Sequence, residues 1–282
     1  MKKCFIIILI SICFSARSQN FFTTAFGGLS NYQGDIQDNA FTLLRSKPAW
    51  GLGLMFELNN RMLIRADFTA GKIYGDDRYS KKNRSRNLSF RSDIAEFSIG
   101  FEYVLFNLYE YKVSPYAFAG VGVFKFSPYV NAPNGSKIIL SELDTEGQGF
   151  FAGRTKYKLR QVCIPFGGGL QWAITDNKRL ALVVGIRKTF TDYLDDVSTT
   201  YVDRNLLAQK KGQQAVSFAY RGDELANGDP YPVEGTKRGN PANDDWYYVA
   251  GISMRFRIVP KGRKRDDAFK PRRASVACPK PF

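Results

Sequence analysis

Histidine is absent from all 282 residues. Without it, Ser-His and Asp-His hydrolytic sites cannot be built, and neither can an imidazole metal site. Long apolar runs are scarce as well. After the first residues, no stretch reaches the roughly 20 apolar residues a membrane-crossing helix needs. Cysteine occurs four times. Cys4 and Cys13 lie in the apolar N-terminal run, leaving Cys163 inside an alternating segment and Cys278 near the C-terminus. A disulfide between these last two would pin the tail to the wall of the fold.

The N-terminus carries Lys2 and Lys3, an apolar stretch from Cys4 to Phe14, and the small-x-small triplet Ala16-Arg17-Ser18. This order reads as an export leader over residues 1–18, with the mature chain starting at Gln19. Ile12 before Cys13 is not the small residue that a lipidation site requires. Export combined with alternating segments leaves two destinations, a secreted β-sandwich or an outer-membrane barrel.

Positive charge dominates, with 41 Lys and Arg against 26 Asp and Glu, or +15. Much of the excess sits after Val259, in Lys261, Arg263, Lys264, Arg265, Lys270, Arg272, Arg273 and Lys280 against Asp266 and Asp267. Residues 259–282 therefore read as a basic tail, either solvated or docking an acidic partner. Nucleic acid is a poor candidate partner, because an exported barrel does not meet it.

Eight hydrophobic-alternating runs follow the leader: Phe21 to Gly28, Ala49 to Leu58, Met62 to Tyr74, Leu88 to Phe106, Pro115 to Phe126, Tyr157 to Ile174, Leu180 to Phe190 and Trp246 to Ile258. The connections between them alternate long and short. That rhythm predicts an all-β fold over residues 19–258, a single eight-stranded antiparallel transmembrane β-barrel with long extracellular loops and short periplasmic turns. An even strand number puts both chain ends on the periplasmic side. Pro165, within the sixth run, predicts a bulge or a distorted edge there. The fifth run is ambiguous, with aromatics on one face and Ala119, Val121 and Val123 on the other.

On most runs one face is greasy, as in Trp50, Leu52, Leu54, Phe56 and Leu58. The other collects glycine and charge. Glu57, Asp67, Glu96 and Glu102 on these second faces meet Arg65, Arg187, Arg255 and Arg257. One arginine turned to lipid at the midplane would cost about 2–4 kcal/mol. Facing inward, the eight can pair. A barrel of about eight strands is just filled by its own side chains, so the lumen is expected to be plugged and nonconducting. Paired catalytic carboxylates are the competing reading of the same set. With no histidine and no cofactor motif, the expectation is a noncatalytic protein without cofactor.

Asp192, Asp195 and Asp196 lie close enough in sequence to suit calcium. Their spacing does not match an EF-hand loop, and aspartate also favours turns. Gly147-Gln148-Gly149 lacks the strand–helix setting of a phosphate loop and reads as turn chemistry.

Several segments resemble PorG-like proteins: Asn31-Tyr32-Gln33-Gly34-Asp35, Lys47 to Gly53, Arg86 to Ser92, Thr145 to Gly149, Ile164-Pro165-Phe166-Gly167, Thr191 to Ser198 and Asp244 to Tyr247. These are small outer-membrane barrels associated with type IX secretion and gliding motility. The resemblance spans nearly the whole mature chain. It implies a noncatalytic component embedded among outer-membrane lipids that touches a periplasmic lipoprotein ring. The surfaces available for that contact are three turns (Asn59 to Arg61, Asn107 to Ser114, Thr175 to Arg179) and the basic tail, from Lys261 to Arg273 and beyond. A general surface barrel whose loops bind a ligand or a neighbouring surface is the alternative.

Overall fold

The computed structural model describes residues 20–37, 42, 45–80, 82–132 and 135–258. The proposed leader and the basic tail lie outside the described residues. So do Cys278 and all of Lys261, Arg263, Lys264, Arg265, Lys270, Arg272 and Arg273.

Period-two alternation produces the strands β1 (Phe21–Gln33), β2 (Lys47–Glu57), β3 (Met62–Asp76), β4 (Ser89–Val104), β5 (Val113–Asn131), β6 (Lys137–Ile139), β7 (Arg160–Thr175), β8 (Lys178–Thr189) and β9 (Trp246–Arg257). Eight of them form a ring in which each pairs antiparallel with its neighbour. β4 pairs with β5, and β1 closes the ring against β9 with Phe22 opposite Arg257 and Gln33 opposite Trp246. β6 is a three-residue flap that extends β5 beyond the ring, pairing Lys137 with Asn131. The chain is a closed eight-stranded antiparallel barrel. Closure leaves no unpaired edge, which a structure surrounded by hydrocarbon requires.

Alternation sorts the wall into two faces. Trp50, Leu52, Leu54, Phe68, Phe97, Ile99, Phe101, Val121, Leu182 and Met254 are all exposed on the outside. A continuous apolar ring of this size cannot face water, and it matches the lipid-facing band of a membrane barrel. The ambiguity in β5 resolves the same way. Ala117, Ala119, Val121 and Val123 look outward, while Tyr116, Phe118, Phe124 and Phe126 are buried inside. The aromatics occupy the interior because the lumen needs their volume.

The inner connections are tight. Asn59 Oδ1 caps the first by accepting from the backbone N–H groups of Arg61 and Met62, each at 2.9 Å. At the outer end, strands outrun the 9–11 residues needed to cross hydrocarbon. β5 reaches 19 residues.

Three readings from sequence need correction. β1 runs on through Asn31-Tyr32-Gln33, whose polarity suggests a loop; pairing with the start of β9 keeps it extended. Pro165 makes neither a bulge nor an edge. β7 stays in register with β8 through Pro165, opposite Arg187, and the register shift falls instead at Ala173/Thr175. The missing N–H is accommodated by a gap in the ladder to β5 between Ala119–Phe166 and Gly122–Cys163. The long loops also carry helices, α1 (Leu140–Leu143), α2 (Arg204–Lys211) and α3 (Gln213–Ala219). Asp203 starts α2 by accepting from Leu206 N at 2.8 Å.

Two apolar cores result. One lies in the inner half of the lumen around Phe22, Met55, Leu63, Tyr116 and Phe118. The other lies at the outer mouth, where Tyr32, Phe90, Phe126, Leu194, Val202 and Leu207 pack beneath the loops.

Candidate functional site

The inward face of the barrel brings all eight charged residues singled out from sequence into ion pairs. At the inner end Glu57 takes Arg179 at 2.9 Å and Arg257 at 2.9 Å. Tyr109, from the turn between β4 and β5, donates to Glu57 at 2.6 Å and touches both arginines. Higher up, Glu102 is held by Arg65 at 3.1 Å, by Arg255, and by Gln171 Nε2 at 2.7 Å. Arg65 also pairs with Asp67 at 2.6 Å. Near the outer end Arg187 pairs with Glu96 at 2.9 Å, and Tyr247 donates to the same carboxylate at 2.7 Å.

Apart from the half-buried Arg65 and Asp67, these ions are buried, so pairing alone would not repay their desolvation. Aromatic faces supply more. Arg179 and Arg257 lie 4.5 Å and 4.6 Å from the Phe22 ring, and Arg65 lies 4.2 Å from Phe118. Glycine makes the room. A Cβ at Gly185 would collide with the Arg187 guanidinium, and one at Gly53 with the Asp67 carboxylate. The space left around Arg65, Asp67, Ser98 and Arg187 is about 40 Å³. That is room for a few waters.

Arg179 and Tyr109 are members of this network that the sequence does not reveal. The alternating pattern ends near Arg179 and leaves it with the turn from Thr175. In the structure it is the second residue of β8 and points inward, because alternation along β8 sets its direction. Ser114, which reads as a turn residue, is buried in β5. Strand parity is the available clue to Arg179, whereas nothing local marks Tyr109.

The second candidate site is a cap over the outer mouth, knitted from all four long loops. Glu146, in the β6–β7 connection, is its hub. It accepts from Ser198 N at 2.8 Å and Thr199 N at 2.9 Å, and it pairs with Arg238 at 2.9 Å. Arg238 also donates to the carbonyl oxygens of Asp196 at 2.6 Å and Ala219 at 3.1 Å. Arg86 donates to the Arg238 carbonyl and the Asp35 carbonyl and pairs with Asp77 at 2.7 Å. Most segments that carry the family resemblance contribute to this cap. Tyr32, Asp35, Arg86, Glu146, Asp195, Asp196 and Asp245 are among its buried or bridging polar groups.

Asp192, Asp195 and Asp196 form no metal-ligand group among the described residues, and Asp195 and Asp196 are held by separate hydrogen-bond partners. Tyr32 donates to Asp195 and, at 3.3 Å, to Asp245. Asp196 accepts from Thr145 and Tyr157, each at 2.6 Å. Among the described residues no group of carboxylates is arranged to hold a metal ion. Burial and crowding instead push these acids up. Asp192 is raised to about 9 by burial and then by the charges of Asp195 and Asp35. Asp195 is raised to about 8, chiefly by burial with Asp35 adding to it. Burial and the charges of Asp195 and Asp192 lift Asp245 well above the usual carboxylate range.

Glu102→Gln leaves Arg65 and Arg255 without their shared counter-charge. Breaking a buried pair in this way costs about 3–5 kcal/mol, measured as a lowered denaturant midpoint for the barrel folded in phospholipid vesicles. The cap should also weaken with alkali. A raised carboxyl favours the folded cap fully below about pH 4, the ordinary carboxylate value. That advantage is lost as pH climbs toward about 9. Protease cleavage within residues 190–245 should therefore accelerate between pH 5 and pH 9 (roughly the interval between the unfolded and folded values). Asp192→Asn should slow cleavage at the upper end by about tenfold, equivalent to restoring about 1.4 kcal/mol of cap stability.

No curated protein matches the sequence. Similar solved structures include Neisserial surface protein A, with a TM-score of 0.42 and 9% identity, covering 84% of this chain and 96% of that one. Ail, the attachment invasion locus protein of Yersinia pestis, gives a TM-score of 0.38 at 12% identity, with 84% and 98% covered. The outer membrane protein OprG of Pseudomonas aeruginosa gives 0.38 at 9%, with 84% and 97% covered. A family model described as a domain of unknown function (DUF6089) matches residues 2–210, and the chain belongs to that family.

Proposed function

We propose that this barrel is a noncatalytic outer-membrane component that anchors or organises a protein secretion complex of the type IX kind. The observation that carries the reading is the filled lumen. Paired charges and aromatics occupy it from Tyr109 at the inner end to Glu96 and Tyr247 near the outer end. A barrel so plugged acts through its surfaces. The resemblance to PorG-like proteins supplies the kind of partner, a periplasmic lipoprotein ring. The inner surfaces open to such a ring are the turns at Asn59 to Arg61 and around Tyr111, together with the proposed basic tail held in the periplasm.

A second reading draws on the outer face. A polar cleft of about 750 Å³ opens between the loops, lined by Gln33, Lys82, Lys188, Asn240, Asn243 and Trp246 among others. Amides, cations and one indole suit a hydrophilic ligand, which favours a surface barrel whose loops bind a molecule or a neighbouring cell.

Crosslinking in native envelopes followed by pull-down separates the two. The secretion reading expects the barrel to bring down periplasmic lipoproteins, deletion of residues 261–282 to weaken that recovery, and a knockout to lose secretion. Normal secretion in the knockout, with no lipoprotein recovered, rejects it.

A further inference from the structure

The outward face of the barrel is not apolar throughout. Lys72 on β3, Arg91 on β4, Lys125 on β5 and Arg160 on β7 occupy exposed outward positions toward the long-loop ends of four adjacent strands. Lys125 follows lipid-facing Val123 by two residues, and Arg160 precedes lipid-facing Val162 by two. These cations therefore stand where the apolar belt gives way to headgroups. Asp93 is paired with Lys72 at 3.7 Å and Lys137 at 3.1 Å. Lys125 and Arg160 lie directly opposite each other in the β5–β7 ladder. Neither makes an ion pair with another described residue. Like charges facing across a ladder repel, and an anion between them would relieve that repulsion.

Directly below, on the same strands, the lipid-facing wall is indented. An open apolar groove of about 370 Å³ is lined by Phe97 and Ile99 of β4, Val121 and Val123 of β5, and Val162 and Ile164 of β7. Patch and groove are continuous, because Lys125 and Arg160 continue the outward rows that Val121–Val123 and Ile164–Val162 begin. Cation above hydrocarbon matches one amphiphile, with its charge at the interface and its chain along the wall.

We propose that this face binds a lipid bearing an anionic phosphate in the outer leaflet. One acyl chain lies in the groove, and the phosphate is held between Lys125 and Arg160. Each basic residue near an anionic lipid surface contributes about fivefold in affinity. The pair together contributes about thirtyfold by the same reckoning.

The test uses the full-length protein in neutral detergent, with native mass spectrometry reading bound lipid. Phosphatidic acid and diacylglycerol of identical chains serve as probes, with inorganic phosphate as competitor. The wild type should retain phosphatidic acid well above diacylglycerol. The K125Q/R160Q double variant should lose about thirtyfold in retention of phosphatidic acid. V123W, which fills the groove and keeps both charges, should lose retention too. Folding of each variant is checked by the heat-dependent shift of barrel mobility on a gel. Equal retention of the two lipids by the wild type overturns the proposal without reference to any variant. So does unchanged retention by the folded double variant, or displacement of the lipid by equimolar inorganic phosphate.

Discussion

Glu102 lies between Arg65 and Arg255 in the middle of the lumen, with Gln171 completing its shell. The rest of the molecule is arranged around keeping that cluster dry and paired. Eight strands enclose a space too narrow for a water column, so a charge turned inward must find a partner across the barrel. The structure provides three such levels, centred on Glu57, Glu102 and Glu96. Arginine suits this role because its planar head can bind a carboxylate at its edge and lie on an aromatic ring with its face. Phe22, with Arg179 on one contact and Arg257 on another, shows both uses at once.

The uppermost level joins the lumen to the cap. Tyr247 donates to Glu96 from the base of β9, two residues after Asp245, whose carboxylate accepts from Leu194 N at 2.9 Å in the longest loop. From there Tyr32, Asp195, Glu146 and Arg238 carry hydrogen bonds through the remaining loops. The outer loops are therefore part of the folded body, with their own apolar core, and the mouth of the barrel is roofed as well as filled. The buried acids Asp192, Asp195 and Asp245 make this roof sensitive to pH.

Much of this is legible in the residues. The alternation of Trp50, Leu52 and Leu54 against Gly51, Gly53 and Met55 shows which face of β2 meets lipid, and the same parity puts Arg255 and Arg257 inside. Long and short connections set the topology. Three things are hidden. Arg179 sits at a turn boundary, where a shift of one residue reverses a side chain. Tyr109 reaches the lumen from a turn whose local sequence says nothing of the barrel above it. The loop cap depends on contacts between residues far apart in sequence, such as Glu146 with Arg238, and polar loop composition hides a packed interior of this kind. Pro165 misleads because the rule against proline in central strands concerns a lost hydrogen bond, and here one gap in one ladder absorbs that loss.

Paired side chains of the barrel itself fill the lumen, and the proposed secretion role depends on that filling. Recording current across planar bilayers containing the purified, folded barrel tests it most directly. A silent membrane at neutral pH is the expected result. Steady ion-selective openings from the intact wild-type barrel would contradict it.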